Sequence, residues 1–529
     1  MRGNHIITVQ PDAYDEIAYP TLAYEQTHPD RLASLATLFG MKPRDVERCR
    51  VLELGCGEGG NLFPLALEFP DSKFVGVDRA QLPIAKAQQT IMNLRLENIE
   101  MRRADLMDLS SDLGQFDYII AHGVFSWIPA EVQHRLLAIC REFLAPQGVA
   151  YVSYNVYPGC RLRQIAREMM LLHTKNIKDS SERLNQGRAL IKWLAAAQPE
   201  SEANAYQILL RETQKAYETR AEAAIFHDDL AEINVPVYFY QFVELAAQHG
   251  LQFLCEAEGY TADHSKYPPE VIRQLQEFAE EDVVAKEQYS DFLCGRSFRQ
   301  TLLCHHEVLL DRSINPEHIR RFHISSQARP VSAAPDLTSE AIEEFHGPKE
   351  SVLATSFPLA KATMAYLGEI YPASAHFDQI LDEACLRAEM GKGRGDFDSD
   401  EKAKALAEVI LKSYGAGIVQ MHLHLPKFAI AVSEKPLASP LARFQARQGK
   451  LVTNLFHANI KLEDDLGLRL LLLLDGTRDR ATLIRELTAI VEEAFAEVSA
   501  QEKQDFLQRL PTELEGKLKV LSQLGLLSA

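Results

Sequence analysis

The run Val51-Leu52-Glu53-Leu54-Gly55-Cys56-Gly57-Glu58-Gly59-Gly60-Asn61 constrains this chain more than any other stretch. A short apolar strand passes straight into a glycine-rich turn, and a helix is expected to begin near Pro64. Glycines at such a turn let the backbone approach a ligand and aim amide N–H groups at it from a helix N-terminus. Two spacings coexist. Gly55, Gly57 and Gly60 satisfy GxGxxG, a dinucleotide fingerprint, while Glu53, Gly55, Gly57 and Gly59 satisfy ExGxGxG. The turn alone does not choose between them.

Beyond the turn, strand and helix signals alternate. Segments 51–54, 73–77, 100–103, 116–121 and 149–153 read as strands, and 61–68, 84–94 and 131–144 as helices. Five strands with crossover helices predict an α/β fold with a doubly wound parallel sheet. Ligands on such sheets bind beyond the carboxyl ends of the strands, so the residues just after each strand carry the information. A helix at 238–249 and strands at 251–256 and 298–305 complete the sheet. The domain is therefore placed at 46–312, with helical insertions at about 160–232 and 261–296.

Residues 1–45, rich in polar aromatics, among them Tyr14, Tyr19 and Tyr24, are expected to form a helical or flap-like leader, with an amphipathic helix at 31–39. Beyond a Ser/Ala/Pro-rich linker within 313–340, two α+β units of winged-helix type are expected, at 341–432 and 441–529, with a second linker at 433–440. The last helix is placed at 518–527, and Asp475 to Arg478 are expected to cap the helix after them.

At 529 residues the chain exceeds one ordinary core. Its net charge of −18 argues against a nucleic-acid partner and suits a basic or lysine-bearing one, or simply solubility. The N-terminus lacks an apolar h-region, and the Leu470–Leu474 run is far too short to span a bilayer, so a cytoplasmic location without membrane insertion is expected. Eight cysteines without CxxC spacing indicate neither zinc nor a disulfide framework. His422 and His424 alternate on an expected strand and share a face, but no third ligand is nearby, and no metal site is expected.

The strand ends favour S-adenosylmethionine (SAM) over a dinucleotide. Asp78, ending the second strand, can accept both ribose hydroxyls. Asp105, ending the third, can accept from the adenine amino group while the Leu106 amide donates to the ring. Glu53 would repel a pyrophosphate and attract an ammonium. Cofactor contacts are thus assigned to Glu53, Gly55, Cys56 and Gly57 at the turn, to Asp78, Arg79, Asp105 and Leu106 after the next strands, and to His122. Asp78 and Asp105 also suit helix capping. Acceptor-side residues should come after the fourth and fifth strands, which gives His122, Trp127, Tyr154, Asn155 and Tyr157, with Tyr14 from the leader. Aromatic faces would hold an amine acceptor, and His122 is a candidate general base.

The stretches Tyr24-Glu25-Gln26-Thr27-His28-Pro29, Leu54-Gly55-Cys56-Gly57-Glu58-Gly59-Gly60-Asn61, His122-Gly123-Val124-Phe125-Ser126-Trp127 and Tyr154-Asn155-Val156-Tyr157-Pro158-Gly159 resemble one family, and the match continues through Asn234-Val235-Pro236 and Leu474-Asp475-Gly476-Thr477-Arg478. It is the class I SAM-dependent methyltransferases that carry a methyltransferase regulatory domain, including the rickettsial-type outer-membrane-protein lysine methyltransferases. The resemblance implies a Rossmann-like catalytic domain, protein-lysine N-methylation, a dimer, and a C-terminal half that engages the substrate protein. Removing residues 325–529 is then expected to spare SAM binding and abolish protein methylation. Phe125 stands where the family leads one to expect tyrosine, and Cys160 where it leads one to expect tryptophan. Either departure would alter the acceptor if it lined the pocket.

Overall fold

The computed structural model describes residues 21–197, 204–259, 267–388, 399–494 and 500–529. Seven strands, β1 (Arg50–Leu54), β2 (Lys73–Asp78), β3 (Ile99–Arg103), β4 (Phe116–Ala121), β5 (Leu144–Asn155), β6 (Leu251–Glu256) and β7 (Phe298–His305), form one sheet in the order β3-β2-β1-β4-β5-β7-β6. β7 runs antiparallel to both neighbours, and the other pairs are parallel. The order reverses between β1 and β4, and that switch point opens a crevice above the glycine turn.

β1 and β4 are apolar almost throughout because both faces of the sheet are covered. The two-residue period sorts the side chains: Val51, Tyr118, Tyr151 and Leu302 enter one core, while Leu52, Ile119, Val152 and Leu303 enter the other. Near the β6 edge of the sheet, Arg299 of β7 is fully buried and bonds to Glu256 of β6 at 2.8 Å and to Glu287 and Asp291 of the helix Val283–Cys294 at 3.0 and 2.8 Å. This ion cluster fastens that helix to the sheet.

Several expected boundaries change. The leader helix spans Pro29–Leu38 and is buried on nearly every face, with only Arg31 among its side chains reaching outward to bond the Ala257 and Glu258 carbonyls. It is therefore a central helix rather than an amphipathic cover. Its Asp30 accepts the Leu423 and His424 N–H groups at 2.9 and 2.8 Å and bonds the His422 ring at 3.2 Å. His424 meets Glu47 and Glu68, so the two histidines join domains. The expected linker 313–340 is largely structured: Ile319, Phe322, Ile324 and Ala328 are fully buried, and His323–Ser325 is the middle strand between Ala375–His376 and Gln420–His422. Its serine-rich composition hid the buried apolar residues, and only about residues 331–336 remain mostly exposed.

In the second expected linker, Ala438 is buried and bridged to Leu527, and Pro440 opens the helix Pro440–Ala446. The final helix is longer and earlier than expected, Ala500–Gln523, leaving Leu526 and Leu527 to pack as extended chain. Asp479 supplies the N-terminal side-chain bond of Arg480–Ala494, to Thr482 N–H at 2.8 Å, whereas Asp475 turns onto Thr477 and Arg478.

Candidate active site

A cavity of about 660 Å³ opens over the carboxyl ends of β1 to β5. The glycine turn forms its floor. Gly55, Gly57 and Gly59 hold φ of +73°, +52° and +82°, a region that favours glycine. All three glycines of ExGxGxG are thus conformationally required. Gly60 has a different reason to lack a Cβ, because Thr21 and the Leu22 backbone lie on the space one would fill.

Glu53 lies on the cavity wall but is 4% exposed. One carboxylate oxygen, Oε1, accepts Asn61 Nδ2–H at 2.9 Å, and Oε2 has no partner. Burial pushes its pKa up to about 8, against the Asn61 hydrogen bond and with help from the Asp78 charge. A buried acid with one bare oxygen fits a cationic ligand group. Asp78 Oδ2 accepts Gly57 N–H at 2.9 Å and its Oδ1 accepts Ala80 N–H at 2.8 Å, while Asp105 Oδ1 accepts Met107 N–H at 3.0 Å. Asp105 therefore caps the turn Leu106–Asp108, whereas Asp78 ties the glycine turn to the start of the next helix without capping it, and both acids also line the cavity beside Arg79 and Leu106. The roles are compatible because each carboxylate has about four acceptor sites. Cys56 also lines the wall, with its thiol turned to the Met101 sulfur at 3.8 Å.

Past the turn, His122 stacks against Tyr24 of the leader with ring centroids 3.8 Å apart, and its Nδ1 meets the Tyr151 hydroxyl at 2.8 Å. Burial lowers the His122 pKa to about 4, so the ring is neutral at pH 7 and a weak base. Trp127, Asn155, Cys160 and Phe298 continue the wall. Asn155 is held by its N–H on Ser126 Oγ at 2.8 Å and its Nδ2 on Asn234 Oδ1 at 3.0 Å.

Two expected acceptor residues are elsewhere. Tyr154 is 1% exposed in the core, stacked on Phe242 with its hydroxyl on Thr301 at 2.9 Å. β5 runs on to Asn155, so Tyr154 sits on the covered face while Asn155 opens to the cavity. Tyr157 pairs with Arg161 and Gln164 and does not line the cavity. Tyr14 lies outside the described residues. Of the two sequence departures, Cys160 lines the cavity, whereas Phe125 is fully buried in the core.

The far wall had no legible signal. Arg163 and Arg220, from helices Cys160–Thr174 and Ala205–Thr219 and its C-terminal cap, converge on Asp228 and Asp229. Arg163, Arg220 and Asp228 reach the cavity. Charged residues dispersed over a long helical stretch look like a solvated surface until the helices fold back.

Comparison with known proteins agrees with this geometry. Residues 45–223 match a family described as "Methyltransferase domain", 221–305 one described as "Predicted methyltransferase regulatory domain", and 434–526 one described as "PKMT, C-terminal winged helix domain". An uncharacterized protein of Rickettsia prowazekii, RP789, is 32% identical over 95% of this chain and 90% of its own. The chain belongs to the class I SAM-dependent methyltransferases that carry a methyltransferase regulatory domain. Among solved structures, PKMT2 from Rickettsia typhi superposes with a TM-score of 0.83 at 27% identity, covering 97% of this chain and 100% of that one. The same protein in complex with AdoHcy gives 0.82. This methyltransferase is a SAM-dependent enzyme, and its C-terminal unit is a winged-helix domain of the PKMT type. Among the described residues no helix is long and apolar enough to cross a membrane.

Proposed function

We propose that this methyltransferase transfers the SAM methyl group to lysine side chains of a protein. The observation that carries the proposal is the composition of the cavity beyond His122. Tyr24, Trp127 and Phe298 supply aromatic faces and Asn155 a polar tip, while Asp228 at the far end is paired with Arg163 and Arg220. Aromatic faces with one polar tip suit a cation on a long apolar stem. The whole-length likeness to PKMT2 supports the same reading.

Glu53, braced by the Asn61 amide N–H, would hold the ammonium of SAM, Asp78 the ribose hydroxyls, and Asp105 with the Leu106 amide the adenine edge. Bound SAM supplies an electrophilic methyl group on a sulfonium. Catalysis by this chain is then mainly positioning of the acceptor nitrogen in line with that methyl group. With its pKa near 4, His122 is about six units too acidic to strip a lysine ammonium efficiently. Desolvation between the aromatic faces favours the neutral amine instead, and His122 orients Tyr24 and the cofactor end of the acceptor path. Cys160, smaller than tryptophan, leaves that path wider and admits a bulkier approach.

The test is methyl-labelled SAM with full-length enzyme and host protein, followed by mass spectrometry of the labelled residues. Label on lysine that depends on the enzyme supports the proposal. Label found only in the metabolite fraction overturns it in favour of a small-molecule acceptor.

A further inference from the structure

The C-terminal hairpin, with strands Leu451–Thr453 and Asn459–Lys461, turns back into the methyltransferase core. Asn459 grips the leader: its Oδ1 accepts Ala23 N–H at 3.1 Å, and its Nδ2 donates to the Ala23 carbonyl at 2.7 Å. His457, in the hairpin turn at φ +58° and 2% exposed, brings Nε2 to 2.8 Å from Asn61 Oδ1. That oxygen also receives Tyr24 N–H and the Thr27 hydroxyl, each at 3.0 Å, while Asn61 Nδ2 donates to Glu53.

The amide orientation is fixed by this set of partners. A backbone N–H can only donate, so Tyr24 turns the Asn61 oxygen toward leader and hairpin and the nitrogen toward Glu53. His457 must then donate from Nε2, as a neutral ring whose Nδ1 is left without a partner. Burial, aided by nearby His28, lowers its pKa well below the ordinary value, which agrees.

We propose that the winged-helix domain is a built-in part of the SAM site, with two positioning residues that keep the binding arrangement: His457, which holds Asn61 and through it Glu53, and Asn459, which holds Ala23 beside the Tyr24 wall. Without the His457 donor the Asn61 amide is freer to turn. A carbonyl oxygen facing Glu53 favours the protonated carboxyl, which does not pair with an ammonium. Asp78, the other charged group acting on Glu53, pushes the same way. The C-terminal half would then serve the cofactor as well as the acceptor, contrary to the expectation drawn from sequence.

The experiment is calorimetric binding of SAM and AdoHcy to the full-length protein, as wild type, His457→Leu, His457→Gln and Asn459→Ala, across a pH series and with melting temperatures recorded. His457→Leu is expected to weaken both ligands about tenfold, the loss of one buried hydrogen bond, and to move the rise of affinity with pH upward. Glutamine presents an N–H near the Nε2 position, so His457→Gln should recover most of the affinity. Asn459→Ala should weaken binding without moving the pH dependence. Wild-type affinity in His457→Leu would overturn the proposal. So would equal losses in His457→Leu and His457→Gln with a lowered melting temperature and an unmoved pH dependence, since that pattern marks a merely structural residue.

Discussion

Glu53 is an acid whose surroundings disfavour its charge until a cation arrives. With its pKa raised to about 8, it is mostly protonated in the free site at pH 7 and must release that proton to pair with an ammonium. Binding therefore releases a proton, and SAM affinity should rise about tenfold per pH unit toward about pH 8 and fall again above it, where the ligand's own α-ammonium deprotonates. Glu53→Gln should remove that slope and weaken binding about ten- to hundredfold, the range for a charge-assisted hydrogen bond. A flat calorimetric pH profile in the wild type would sink the assignment. Tyr154 carries the opposite expectation. Tyr154→Phe deletes a buried bond to Thr301 and should cost about 1 kcal/mol of stability, with SAM affinity unchanged. A change in SAM affinity at intact stability would return Tyr154 to the site. The sequence placed Tyr154 one step past the strand, and two further residues of β5 reversed the inference, because parity along a strand decides the face a side chain takes.

At the scale of elements, the strands of the sheet were legible because buried parallel strands are apolar runs bounded by turn residues. β4, β6 and β7 were bounded in sequence as they stand in the fold. The Arg299 cluster was not legible, since its three acids come from β6 and the helix Val283–Cys294, up to 43 residues away in sequence. Replacing Arg299 by leucine strands those acids without a counter-charge and should destabilise this edge by about 3–5 kcal/mol, read from thermal unfolding. A loss below about 1 kcal/mol would show the cluster to be dispensable. The pH sign is equally definite for Glu256. Burial opposes its ionisation, but Arg299 and Thr301 outweigh burial and hold its pKa below the ordinary value. The stability it contributes is present above the unfolded carboxylate range near pH 4 and is lost as pH falls through the lower folded value.

On the scale of the molecule, one apolar cluster runs from the sheet through Pro29–Leu38 to residues such as Phe322, Leu406 and Met421, so the first C-terminal unit is continuous with the catalytic core. The winged-helix unit has its own core, and its hairpin reaches Asn61 from outside. Hydrogen exchange should accordingly show AdoHcy protecting residues 451–461 along with the glycine turn; protection confined to the turn would mean that the two are uncoupled. The sequence by itself determined the sheet, the glycine turn with Glu53 beside it, and the acids at the ends of β2 and β3, because these depend on short spacings within one βαβ unit. Only the tertiary structure decided that Asn155 and not Tyr154 opens to the cavity, that Asp228 closes its far end, and that His457 stands 396 residues from the Asn61 it contacts. Those choices depend on which segments the folded chain brings together, and neither local propensity nor spacing carries that information.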